Sequence, residues 1–290
     1  MLALGSQPVA LGAAVSRREK VGRVTRRSHC TIEITSRCED ALAFVGLNGY
    51  VSSEQVARAV FPNRDRARRR LRRLFDAGLI AVTYVSSNRP NLLSLTKRGR
   101  AVLEARDAAL ASRVRLAGPI RAQGVGHHLA IVDVRLFASI EGDEAGRPLR
   151  RFESGVASLA HELGITDTHV EPDALAVFGD EGRVIAIEVD MGGETHAVLG
   201  RKLEKYRPHC ESRTLDGLWI VAVGGVRRQQ AIADLVQAAG LSGWARVLDH
   251  AVLAMAGGSA PRGATPNASR IREQPSGGGS PPSMEDTDAF

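Results

Sequence analysis

The chain has 290 residues, 43% hydrophobic and 24% charged, a composition of soluble globular proteins with room for about two domains. Its formal net charge is +7, and the arginines crowd before Arg121 while the second half carries most of the carboxylates, which points to a basic module joined to a more neutral one. Three cysteines (Cys30, Cys38 and Cys210), with no pair at metal-ligand spacing, argue against a zinc finger or disulfide framework and fit a reducing cytoplasm, and no apolar run reaches the ~18 residues of a membrane span.

Residues 1–35 read as a flexible basic arm. Small apolar residues precede its charges, the reverse of a secretory signal. Its basic patch (Arg17, Arg18, Lys20, Arg23, Arg26, Arg27) has the chemistry to touch phosphate. From Ser36 the pattern becomes compact. Ser36 or Asp40 is placed to cap a helix that Asn48-Gly49 stops, with Ala41, Leu42, Phe44, Val45 and Leu47 apolar. Ser52 or Ser53 caps a second helix over residues 54–60, and Phe61-Pro62 makes the turn.

Residues 63–79 (NRDRARRRLRRLFDAGL) form the third helix, capped by Asn63 and stopped by Gly78. Ala67, Leu71, Leu74 and Phe75 recur at helical spacing and mark its buried side. The rest is arginine: Arg66, Arg69, Arg70 and Arg73 along one side, Arg64, Arg68 and Arg72 along another, offset only by Asp65 and Asp76. Like charges three and four apart repel by a few tenths of a kcal/mol per pair, a cost that a polyanion relieves. A strand over residues 79–85, a polar tip at 86–91, a strand over 92–95 and a helix over 97–113 capped by Thr96 follow. This is the order of a winged helix-turn-helix over residues 36–115. Its third helix is expected in the major groove of double-stranded DNA, with Arg89, Asn88 and Asn91 on the wing.

Residues 116–126 read as a linker. His127-His128 open a helix with Leu129, Val132, Leu136 and Phe137 on its buried side. Adjacent histidines face different sides of a helix, so capping or packing suits them better than shared metal ligation. The unit at 127–255 reads as α/β: strands at 149–154, 174–178, 183–190 and 217–223, a short helix or loop at 156–163, helices at 194–206 and 227–239, and an edge strand at 246–253. Residues 256–290 turn to Gly, Ser and Pro with an acidic end and are expected to be disordered. The fold class is α+β, a winged helix followed by an α/β domain and a tail.

If residues 179–182 make a hairpin, Asp173 meets the far end of the next strand, where alternation puts Glu188 and Asp190 on one face. With Lys202 or Lys205 from the following helix, Asp173 and Glu188 suit Mg²⁺-assisted phosphodiester chemistry. Glu153 or Asp133 is a candidate for a further carboxylate. The run Pro172-Asp173, hairpin, Glu188-Val189-Asp190 resembles the PD-(D/E)xK restriction-endonuclease-like superfamily. That superfamily places a lysine where this chain has Asp190, and some members supply it from the next helix.

The arginine-rich helix with its D-A-G-L-I exit, the H-H-L-A-I-V-D-V-R helix, P-D-A-L, and E-V-D-M-G-G-E-T followed by K-L-E-K-Y together resemble the replication-relaxation family of actinobacterial plasmid and mobile-element proteins. Where members show G-T-E, this chain has Gly192-Gly193-Glu194-Thr195. The resemblance implies a cytoplasmic double-stranded-DNA-binding protein of plasmid or mobile-element replication or transfer. Its second domain is expected to be non-catalytic, and its partners a second copy or replication and transfer proteins. The alternatives are a Mg²⁺-dependent DNA endonuclease and, third, a winged-helix transcriptional regulator.

Overall fold

The structure, a computed structural model, describes residues 32–85, 89–118, 120–155 and 170–256. The expected arm lies almost wholly outside the described residues, as do residues 86–88 of the expected tip at 86–91, the helix or loop at 156–163 and the tail after Ala256. Among the described residues the fold is mixed α+β with two sheets.

The first unit begins with α1 (Ser36–Asn48), β1 (Tyr50–Ser52), α2 (Ser53–Val60) and α3 (Arg64–Asp76). Strands β2 (Ile80–Thr83) and β3 (Leu92–Leu95) follow, then α4 (Lys97–Glu104) and α5 (Ala108–Arg113). Local chemistry explains most of these boundaries. Ser52 and Gln55 cap α2 reciprocally, each side chain bonding the other's backbone N–H at 3.1 and 3.0 Å. Asn63 Oδ1 accepts from Arg66 N at 2.9 Å, and Gly78 takes a φ of 75° beyond the end of α3. The sheet runs β1-β3-β2, wholly antiparallel, with β1 over Tyr50–Ser52 as its edge strand. The core beneath it holds Leu42, Phe44, Val56, Leu74 and Ile80.

Two expectations need correction here. The segment 97–113 is two helices, because Asp107 leaves helical geometry and accepts from Leu110 N at 2.9 Å, capping α5 anew. Thr35, not Ser36 or Asp40, holds the N-cap position of α1, and it makes no side-chain cap bond.

The second unit opens with α6 (Val125–Glu144), then β4 (Leu149–Ser154), β5 (Ala174–Phe178), β6 (Arg183–Asp190), α7 (His196–Glu211) and β7 (Gly217–Ala222). It closes with α8 (Val226–Ala238), β8 (Ala245–Asp249) and α9 (His250–Met255). The expected edge strand at 246–253 is therefore half strand and half helix, since Asp249 accepts from Ala251 N and starts α9. The sheet order is β4-β5-β6-β7-β8, antiparallel through β6 and parallel from β6 to β8. Helices α7 and α8 cover the face that carries Leu175, Ala186 and Ile220; α6 and α9 cover the face with Ala176, Ile187 and Val221.

Helix α6 is buried on two sides. Val132 and Leu136 enter the core of the first unit, while Ala130, Ile131, Val134 and Ala138 face the five-stranded sheet. Between them Asp133 accepts hydrogen bonds from Arg58 and Gln55 of α2 and lies 3.1 Å from His250 of α9. Among the described residues no helix is long and apolar enough to cross a membrane.

Tight packing sets one sign against helix propensity. A Cβ added at Gly99 in α4 would stand 2.2 Å from the Leu79 carbonyl oxygen and 2.7 Å from Leu95 Cδ1. Propensity alone gives Gly→Ala a gain of up to about 1 kcal/mol. Backbone obstruction instead predicts that Gly99→Ala loses about 1–3 kcal/mol, read from urea denaturation.

Candidate functional site

The arginine helix is built as its spacing requires. Ala67, Leu71, Leu74 and Phe75 are all buried, so the arginines are driven outward. Arg66, Arg68, Arg69 and Arg73 are exposed and Arg70 half-buried. No described carboxylate pairs with any of these five. Two others are engaged locally: Arg64 meets Glu54 at 2.7 Å, and Arg72 meets Asp76 at 3.0 Å while lying over the Phe75 ring. Arg89, in the β2–β3 connection and expected on the wing, lies against the start of α6, its Nη1 3.0 Å from where a Cβ on Gly126 would stand.

The acids gather at the carboxyl end of β6, where parallel strands of α/β sheets place their sites. The β5–β6 hairpin pairs Ala174 with Ile187, so Asp173 arrives beside Glu188. Asp173 Oδ2 accepts from Val189 N at 2.7 Å and lies 3.1 Å from His127 Nε2. Burial pushes against the Asp173 carboxylate, but these two contacts hold its pKa below the usual range. The same bond to Asp173 raises the His127 pKa.

Glu188 is 3% exposed, and both its oxygens are engaged: Lys202 Nζ donates to Oε2 at 2.5 Å and the Tyr206 hydroxyl to Oε1. Burial raises the Glu188 pKa to about 7 despite these donors. Lys202 and Tyr206 lie one turn apart on α7, which is why one helix serves both oxygens. Burial also pushes the Tyr206 hydroxyl far above its ordinary value, so it stays a donor at any physiological pH.

The other predicted acids go elsewhere. Asp190 shares the Glu188 face but belongs to α8: Arg228 grips it from Nε and Nη2 at 2.6 and 2.9 Å. Lys205 is exposed on α7, and no bond links it to the acids. Glu153 pairs with Arg151 in β4, and Asp133 is committed to the contact with α2. Neither joins the site as a further carboxylate. Among the described residues no group of three His, Cys, Asp or Glu side chains is arranged to hold a metal.

Sequence reasoning missed three members: Tyr206, Arg228 and His127. The signal for Tyr206 was its spacing of four from Lys202. The histidine pair does split as a helix requires, with His127 toward Asp173 and His128 Nε2 at 2.8 Å from the Tyr50 carbonyl oxygen, its pKa lowered mainly by burial.

Compared with known proteins, the chain matches the family model described as Replication-relaxation over residues 42–216, more than half its length. No curated protein and no solved structure matches it.

The position of Glu188 has a pH signature. Its folded pKa is raised above the unfolded value near 4.5, so its contribution to stability is complete below pH 4.5 and is lost as pH rises through about 7. Melting temperatures of wild type and Glu188→Gln, taken from pH 5 to 8, should therefore diverge steadily, with wild type losing relative stability toward high pH. A constant difference would remove Glu188 as the titrating group.

Proposed function

The chain belongs to the replication-relaxation family, and from that premise we propose that it is a double-stranded-DNA-binding protein acting in plasmid or mobile-element replication or transfer. In this reading the first unit is a winged helix-turn-helix. Helix α3 is presented to the major groove, the β2–β3 connection is the wing, and the α/β unit serves assembly and not chemistry. The observation that carries it is the outward arginine face of α3, with five guanidinium groups that no described carboxylate neutralises. The element order and the β1-β3-β2 sheet support the same assignment. In this reading Arg66, Arg69, Arg70 and Arg73 meet the groove, and Arg64, Arg68 and Arg72 meet flanking phosphates, Arg64 and Arg72 by leaving Glu54 and Asp76.

Each phosphate neutralised contributes about −0.9 to the slope of log affinity against log salt. Replacing Arg66, Arg69, Arg70 and Arg73 with alanine should cost most of the affinity, flatten that slope by roughly 3–4 and leave far-UV CD unchanged. Fluorescence anisotropy on a duplex at several salt concentrations measures this. A flat slope in wild type would sink the reading.

One observation favours a second reading, a Mg²⁺-dependent DNA endonuclease: Asp173, Glu188 and Lys202 converge at one strand end. Two carboxylates are enough for Mg²⁺ when water and phosphate complete its shell, so Asp173 and Glu188 would hold the ion and Lys202 would steady developing charge. Against it, Glu188 already has a donor on each oxygen, and Asp190 stands where the similar superfamily has lysine. Supercoiled plasmid should stay uncut with Mg²⁺ or Mn²⁺; nicking that disappears in Asp173→Ala would establish the enzyme instead.

A further inference from the structure

Beside α3 runs a groove of about 440 Å³ between α2, α3 and the β2–β3 pair. Its floor is apolar, made by Leu71, Phe75, Ile80 and Leu93. Along it Arg64, Arg68 and Arg72 stand one helical turn apart. Glu54 and Asp65 also line it, and Glu54 is taken by Arg64 at 2.7 Å. The groove thus offers an apolar bed with a basic rim that continues into the remaining arginines of α3.

The sequence holds one segment of complementary character. Residues 284–290 read Met-Glu-Asp-Thr-Asp-Ala-Phe, with three carboxylates, no basic residue and an apolar side chain at each end. We propose that this segment docks in the groove, Met284 and Phe290 over the apolar floor and Glu285, Asp286 and Asp288 against the arginines of α3. The chain would then cover its own basic helix.

The last described turn fixes where that segment is tethered. Arg58 of α2 donates from Nη1 to the carbonyl oxygens of Leu253 and Ala256, at 3.4 and 3.2 Å. The end of α9 is thereby held on α2, the helix whose Ser53, Glu54 and Ala57 form one wall of the groove. The chain from 257 to 283 spans at most roughly 90 Å when extended. Passing around a helix about 10–12 Å across requires far less. Tethering makes the encounter intramolecular, with an effective concentration on the order of millimolar, so a weak contact is enough to populate it. Occupied this way, Arg64, Arg68 and Arg72 are withheld from phosphate. That competition rests on the DNA-binding reading above; the docking itself does not.

The test uses the full chain carrying Arg68→Lys, treated with a carbodiimide that joins an amine to a neighbouring carboxylate. Peptide mapping should show an intrachain link from position 68 to position 285, 286 or 288. The link should vanish when Glu285→Gln, Asp286→Asn and Asp288→Asn are added. Links confined to Glu54 or Asp65 would overturn the proposal. So would links that join separate copies, identified in a mixture of ¹⁵N-labelled and unlabelled chains. In parallel, the triple neutral variant on the native Arg68 background should bind duplex DNA about 5- to 10-fold more tightly than wild type at low salt, as expected when millimolar effective concentration exceeds the segment's own dissociation constant by about that factor. Equal affinities would overturn the competition. If neither protein binds DNA, the function proposed above fails, and the cross-link alone decides the docking.

Discussion

The Asp133 carboxylate is the constraint on which the arrangement of the two units depends. It sits in the middle of α6, 9% exposed, and draws Arg58 and Gln55 from α2 and His250 from α9. Burial works against the charge, yet the bonds from His250 and Gln55 and the charge of Arg58 hold its pKa low, so it remains a carboxylate. Such a pair need not add net stability, because desolvating two ions offsets most of their attraction. Removing one partner, however, typically costs about 3–5 kcal/mol by leaving the other charge buried alone. The pair therefore specifies register more than strength: α2 can meet α6 where the guanidinium finds this carboxylate and not one turn away. Gln55 reinforces the choice, since the side chain that caps α2 also donates to the Leu129 carbonyl and to Asp133.

That register makes α6 a common wall, and it explains a partial failure of pattern reading. Leu129, Val132, Leu136 and Phe137 predict one buried side, and Val132 and Leu136 do enter the first core. Ala130, Ile131, Val134 and Ala138 are buried as well, against the sheet. A helix covered on both sides has little periodic contrast, so the pattern names a face without showing that a second exists. The polar residues inside such a helix carry the information instead. Asp133 at its middle and the histidines at its start are costly to bury, and each has a partner from another element.

Legibility elsewhere follows the same division between local and distant causes. Helix α3 was readable because its cap, stripe and glycine stop all lie within 17 residues. The strands of the β5–β6 hairpin were readable for the same reason, and with them the approach of Asp173 to Glu188. The split at Asp107 was missed although its cause is local, since a helical pattern on both sides masks a cap between them. His127 and Arg228 were not readable as site members, because α6 and α8 reach the acids only through packing on the sheet, whereas Tyr206 was signalled by its spacing of four from Lys202.

The acids and the arginine helix differ in how far their charge is balanced within the fold. At the end of β6 each acid has a basic partner from a different helix: His127 on α6 for Asp173, Lys202 on α7 for Glu188, Arg228 on α8 for Asp190. Positive charge there is already committed, and a phosphate would have to displace a carboxylate to gain it. On α3 the balance is reversed, with five arginines that no described carboxylate pairs, while Glu54 and Asp76 are taken by Arg64 and Arg72. Coulomb repulsion along that helix is relieved in part by Glu54 and Asp76 and further by any added anion, whereas the acid cluster is nearly neutral as it stands. The unbalanced positive charge of the described fold thus lies on α3 and not at the end of β6. The balance at β6 gives Asp190 a consistent meaning: with Arg228 bound to it, that position stabilises the junction of β6 and α8 and supplies no free cation to a phosphodiester.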